Sequence, residues 1–164
     1  MALTSISRFC AANLGGLQLV EYAPVSWIDA SAYQKIISDT WNWQKAIPFQ
    51  EGYDWLSIYL LPARRLWSER QVNGEYGPSF DQSIEGILPS MRPEVSLQLA
   101  EMTGYRYILR LTDRNAKTWL IGTKDEGLEF VSEATTGEQN GLNNYLIRFT
   151  GQSSERAYGY APVL

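Results

Sequence analysis

The sequence predicts a mainly β protein, a β-sandwich or small antiparallel barrel with one short flanking helix. Three observations carry this: four runs of alternating character between Gly104 and Gly151, turn-forming residues between them, and one stretch of helical spacing near Pro93. At 164 residues the chain reads as a single domain, 1–164, long enough to bury a core without disulfides.

The four runs come first. Tyr105, Tyr107, Leu109 and Leu111 share one face against Arg106, Arg110 and Thr112, with Ile108 as the exception. Asp113 to Ala116 is a turn, and Thr118 to Ile121 returns as the second strand. Asp125-Glu126-Gly127 is the next turn, where glycine can supply a positive φ. Leu128, Phe130, Ser132 and Ala134 then alternate with Glu129, Val131 and Glu133. After a polar loop at Thr136–Gly141, Tyr145, Ile147 and Phe149 alternate with Asn144, Leu146 and Arg148. Consecutive strands joined by short turns read as a β-meander.

Upstream, Met1–Asn13 reads as a short helix or an arm that docks on another subunit. Leu17–Ala23 is a strand closed by Pro24, and Val25–Ile28 and Tyr33–Ile37 are short apolar pieces. Asp39–Trp43 is loop-like and carries two tryptophans. Tyr53–Leu61 predicts a strong strand with apolar residues on both faces, buried on both sides. Arg65–Asn73 and Phe80–Leu88 flank Gly74–Pro78 as two long, polar, weakly alternating strands, an extended hairpin arm over 64–88. Such a hairpin is poorly stable alone and invites a partner strand. The candidate assembly-interface residues are therefore Arg64, Arg65, Trp67, Glu69, Arg70, Tyr76, Phe80 and Ile84.

Ser90–Met102 is the helix. Pro93 suits the first turn, Glu94 the positive end of the helix dipole, and Val95, Leu99 and Met102 share a face. Val95, Leu97 and Leu99 also alternate, which is the competing strand reading. Tyr158 to Tyr160 is a last strand.

The chemistry is bounded by what is missing. There is no histidine, which removes the commonest general base and metal ligand, and the single Cys10 allows no internal disulfide and reads as a buried small hydrophobe. The five carboxylates at Asp113, Asp125, Glu126, Glu129 and Glu133 sit in turns and on wet strand faces, where β-turn chemistry places them. No glycine-rich phosphate loop is present. We expect no enzymatic activity, no cofactor and no metal. Fourteen basic against eighteen acidic residues, with no basic cluster, argue against a hold on nucleic-acid phosphates. No apolar run approaches the roughly 18 residues of a membrane span, and the N-terminus has no basic, long-apolar leader pattern, so a cytoplasmic origin is expected.

One segment has a familiar cadence. Asp113-Arg114-Asn115, Trp119–Gly122, Gly127–Phe130, Thr136-Gly137, Asn143–Tyr145, Phe149–Gly151, Tyr158 and Tyr160 resemble small virion proteins of Bacteroidetes-type phages and prophages, tail-tube or related tail-assembly subunits. The departure is Ala116, where a glycine would be usual after Asn115. The resemblance implies a β-sandwich or small barrel with one helix, in a ring, commonly a hexamer, stacked into a tube. It also implies partnership with other tail proteins, assembly in the bacterial host cytoplasm, residence in the virion, and a lumen that passes DNA without binding it. The net charge of −4 is compatible with such a lumen.

A second reading comes from the aromatics: six Trp, ten Tyr and five Phe. Trp27, Trp41, Trp43, Trp55, Trp67 and Trp119, if exposed, could stack sugar rings in a carbohydrate-binding module; the plainer reading places most of them in the core or a subunit interface.

Overall fold

The computed structural model describes residues 6, 13–137 and 141–163. Among these residues there are ten strands and one α-helix, besides two single 3-10 turns: β1 (Leu17–Pro24), β2 (Asn42–Trp43), β3 (Leu56–Ser57), β4 (Leu66–Gly74), β5 (Gly77–Pro89), α1 (Pro93–Glu101), β6 (Arg106–Asp113), β7 (Thr118–Ile121), β8 (Leu128–Thr135), β9 (Asn144–Ser153) and β10 (Tyr158–Tyr160). The mainly β class with one flanking helix is thus the observed one. Cys10 and most of Met1–Asn13 lie outside the described residues.

The strands form two layers. One holds β3, β1, β6, β7, β10 and β2; the other runs β8-β9-β5-β4. They are joined through β6 and β8, which pair only at Arg106↔Glu129 and Tyr107↔Leu128. Between the layers lies the main core, where Val20, Leu109, Leu111 and Ile121 meet Ile84, Phe130, Ile147 and Phe149. The stretch from β3 to β4 bridges the layers at one side. Ile58 N–H donates to the Val20 carbonyl at 3.0 Å, and Leu61 N–H to the Ile87 carbonyl at 2.8 Å. The sandwich is therefore barrel-like.

A second core covers the other face of the first layer. There Ala23, Ile108, Leu120, Tyr158 and Tyr160 pack under Ile28, Trp43 and Ile47 from the 25–55 segment. This explains Ile108, the residue that broke the alternation: both faces of β6 are buried, one against each core. Trp43, fully buried, sits on β2, which pairs with β10 in parallel; the loop expected at Asp39–Trp43 thus contains a short strand.

Three further expectations are corrected. The meander does not hold, because β7 pairs with β6 and β10, not with β8. Tyr53–Leu61 is not a strand buried on both sides. Only Leu56–Ser57 pairs, with β1, while Tyr53 and Tyr59 are exposed and Leu60 is buried. The segment has to cross from one layer to the other, so it cannot keep one neighbour along its length. The hairpin at 64–88 exists, with a two-residue turn between Gly74 and Gly77, yet it is not a free arm. β5 pairs with β9 from Phe80 to Pro89 and buries Phe80, Gln82, Ile84 and Gly86. Small and polar residues at Ser79, Asp81, Ser83 and Glu85 on its outer face disguised an interior strand.

The helix is as expected. Pro93 opens α1, Leu99 is buried, and Val95 and Met102 pack on the main core at the end of the sandwich. Tyr145 OH pins its start by donating to the Arg92 carbonyl at 3.1 Å, and Tyr107 OH pins its end at the Met102 carbonyl, 2.8 Å.

Candidate functional site

Two surfaces of this fold are not used by its own packing. The first is the β8-β9-β5-β4 layer. Its inner face fills the core, and among the described residues its outer face is uncovered, β4 has no outer strand partner and β8 meets β6 only at Leu128 and Glu129.

Register places the outer-face residues in rows across the four strands. Val131, Arg148, Glu85 and Leu66 form one row, and Glu129, Thr150, Ser83 and Ser68 the next. Three ion pairs lie on or beside this face, Arg148 with Glu85 at 3.0 Å, Arg70 with Asp81 at 3.1 Å and Arg106 of β6 with Glu129 at 2.7 Å, while Glu133 on the same side of β8 is exposed to solvent. The row containing Arg148 begins and ends on apolar residues, and both are half exposed, Val131 at 52% and Leu66 at 50%.

Each end of the layer lacks a strand partner among the described residues. β4 is terminal, paired only with β5. β8 is paired with β9 along Glu129–Thr135, but its other side meets β6 only at Leu128 and Glu129. Residues 131–135 are all exposed. An unpaired strand leaves a row of N–H and C=O groups ready for another chain.

The eight candidate interface residues divide by the alternation of β4 and β5. Arg64, Arg70 and Tyr76 face solvent, Tyr76 almost completely at 99%. Arg65 is half-buried, with its Nη1 donating to the Leu60 carbonyl at 3.3 Å. Trp67, Glu69, Phe80 and Ile84 point inward. Trp67 packs on the main core 5.3 Å from Trp119, and Ile84 and Phe80 are buried. Glu69 takes the Arg156 guanidinium at 3.2 Å and Gln82 Nε2 at 3.1 Å. These four hold the subunit together and are not surface residues. Leu66 and Val131 were missed; the signal for Val131 was an apolar side chain between Glu129 and Glu133 on one strand face, and Leu66 shares its face with Ser68, Arg70 and Val72.

The second surface is a groove of about 620 Å3 between α1 and the 56–59 segment. Buried or half-buried Tyr22, Tyr107, Leu99 and Met102 line it together with the exposed Tyr59 and Tyr105. Trp27 also lines it, stacked on Tyr53 with ring centroids 4.5 Å apart. Burial pushes the Tyr107 phenol well above its ordinary range and raises that of Tyr22, so both are neutral donors at neutral pH. Arg92, Gln98 and Glu101 supply its polar side.

The five carboxylates of the 113–133 region serve the fold or face solvent. Asp113 Oδ1 accepts the backbone N–H of Asn115 and Lys117, at 2.8 and 2.9 Å, which closes the β6–β7 turn. Glu126 accepts Ser153 Oγ at 2.8 Å and Glu129 pairs with Arg106, whereas Asp125 and Glu133 are exposed. Among the described residues no three His, Cys, Asp or Glu side chains cluster as metal ligands would, and no helix is long and apolar enough to cross a membrane. No family model, curated protein or solved structure matches the chain.

Proposed function

We propose that this chain is a self-assembling structural subunit that forms closed rings through the two free edges of its β8-β9-β5-β4 layer, as a tail-tube or neck-ring subunit of a virion. The observation that carries the reading is that these edges are unlike and run in opposite directions. Each neighbouring pair in the layer is antiparallel, so three steps from β8 reach β4 with its direction reversed. A copy placed alongside by rotation about an axis along the strands keeps every strand direction. It therefore meets β4 with its own β8, antiparallel. Contacts between unlike surfaces close into rings when the rotation closes. The virion role comes from the resemblance of the 113–160 segment, and the paired charges of the outer face are compatible with a lumen that does not hold DNA.

In the unshifted register the row Val131-Arg148-Glu85-Leu66 continues across the contact, which puts Leu66 of one copy beside Val131 of the next. The experiment is sedimentation velocity with negative-stain electron microscopy over rising concentration. The intact chain gives rings. Leu66→Lys and Val131→Glu each give a folded monomer, and the double variant, with opposite charges facing across the contact, assembles again. A chain that stays monomeric at every concentration overturns the proposal. So does a two-fold dimer joined β4 to β4, in which the lysines would face each other and the double variant would stay apart.

A further inference from the structure

We infer that the groove between α1 and the 56–59 segment binds a short neutral oligosaccharide. The groove is complete within one copy, so this does not depend on ring assembly.

Its size, about 620 Å3, falls inside the roughly 300–1,000 Å3 of small-ligand sites. Its composition narrows the ligand. Tyr59 and Tyr105 are 60% and 52% exposed, and both line this half-open groove. Flat aromatic faces of this kind take the C–H face of a sugar ring. Of the tryptophans suggested by the sequence, Trp43 is buried, Trp67 packs against Trp119, and Trp41, though 43% exposed, stacks on Tyr158 outside the groove, whereas Trp27 lines it.

The polar side completes the argument. Arg92 and Gln98 engage the fold through their backbone carbonyls, which accept from Tyr145 OH and Met102 N–H, both at 3.1 Å. The Arg92 guanidinium, Gln98 carboxamide and Glu101 carboxylate are exposed and line the groove. Each is a planar group with two hydrogen-bonding atoms side by side, a spacing that neighbouring hydroxyls of a sugar match pairwise. A wholly apolar ligand would desolvate these three groups without return. An anion would meet Glu101 and a cation would meet Arg92. A neutral polyhydroxylated chain satisfies both, as donor to one and acceptor from the other.

The test uses the full chain titrated calorimetrically with short cello-, xylo-, manno- and chito-oligosaccharides. At least one binds. Tyr59→Ala and Tyr105→Ala each weaken it about tenfold or more, the loss of one stacked ring. Tyr59→Phe, which keeps the ring, retains affinity, and Arg92→Ala loses it. Trp41→Ala, on the far cluster where Trp41 stacks on Tyr158 at 5.1 Å, changes nothing. Both tyrosines are exposed, so their alanine variants should melt with the parent. Binding by none of the four sugar classes overturns the inference, as does binding that survives both tyrosine substitutions or is abolished by Trp41→Ala.

Discussion

The Glu69 carboxylate on β4 accepts the backbone N–H of Ala157 at 2.7 Å, across 88 residues of chain. With Arg156 and Gln82 also donating to it, this side chain fastens the open edge strand to the segment leading into β10. Arg156 in turn lies 4.9 Å over the Phe80 ring. Only 11% of the Glu69 side chain is exposed, and two of its donors, Ala157 and Gln82, are buried, so they have little water to fall back on.

Glu69→Ala should therefore destabilise the fold by about 2 kcal/mol, the cost of leaving the buried Ala157 N–H and the buried Gln82 carboxamide without their acceptor. Glu69→Gln, which keeps an acceptor oxygen, should lose less. Urea unfolding followed by tryptophan fluorescence measures both. Equal losses would show that the charge, not the hydrogen bond to Ala157, is what matters.

Ala116 carries a cost in the opposite sense. It adopts φ +59° in the turn between β6 and β7, a left-handed conformation that a Cβ disfavours by about 1–2 kcal/mol. The departure from glycine noted in the sequence is thus a strained position. Ala116→Gly should stabilise the protein by about 0.5–1 kcal/mol, because relief of strain exceeds the extra freedom glycine gains when unfolded. The melting temperature should rise by roughly 2 °C for a chain of this size. An unchanged or lower value would mean that the turn relaxes around alanine at no cost.

These two residues also show what was legible beforehand. Local chemistry was readable: the Asp113–Ala116 turn, the faces of β6 and β9, Pro93 opening α1. Pairing over distance was not. Leu128 to Thr135 has the pattern of a strand, but nothing in it says that its neighbour is β9 along one side and two residues of β6 on the other. The period-2 signal failed where a strand is buried on both faces, as at Ile108, and where polar outer residues masked an interior strand, as along β5. Gly127 was expected to supply a positive φ. It is instead Gly122 that does so, at +79°, while at Gly127 a Cβ would lie 2.8 Å from Val25 Cγ2 and 2.9 Å from Arg106 Cβ. The groove was unreadable because its walls come from segments that sequence spacing does not relate. Tyr59 and Tyr105 carry no mark that sets them apart from the buried tyrosines.

Alkali should unfold this protein through its buried phenols. Burial, followed by the hydrogen bond to Glu155, pushes Tyr158 from 10.0 up to about 12. Between those values the unfolded phenol has lost its proton and the folded one has kept it. The native state then binds more protons, so stability is full below about pH 10 and falls as pH rises toward 12. Tyr107 acts in the same direction. Urea midpoints taken from about pH 9 to about pH 11 should decline, and Tyr158→Phe should decline less steeply. A flat profile in the parent would contradict the burial of these hydroxyls.

The tightest test of the core concerns Gly86 on β5. It is buried, and a Cβ built there would lie 2.5 Å from Leu60 Cδ1 and 3.0 Å from Leu60 Cβ. The close contact reaches the root of the leucine side chain, so rotation about its outer bonds cannot clear it. Leu60 is itself only 1% exposed and sits where the chain crosses between the layers. Gly86→Ala should cost about 1–3 kcal/mol through overpacking. Leu60→Ala alone should cost about 2–5 kcal/mol through the cavity it leaves. Together the added methyl occupies part of the vacated space, so the double variant should be more stable than the sum of the two losses by about 1 kcal/mol or more. Chemical denaturation of the four proteins closes the cycle. Simple additivity would mean that β5 shifts to accept the methyl, and that Leu60 is not what keeps position 86 a glycine.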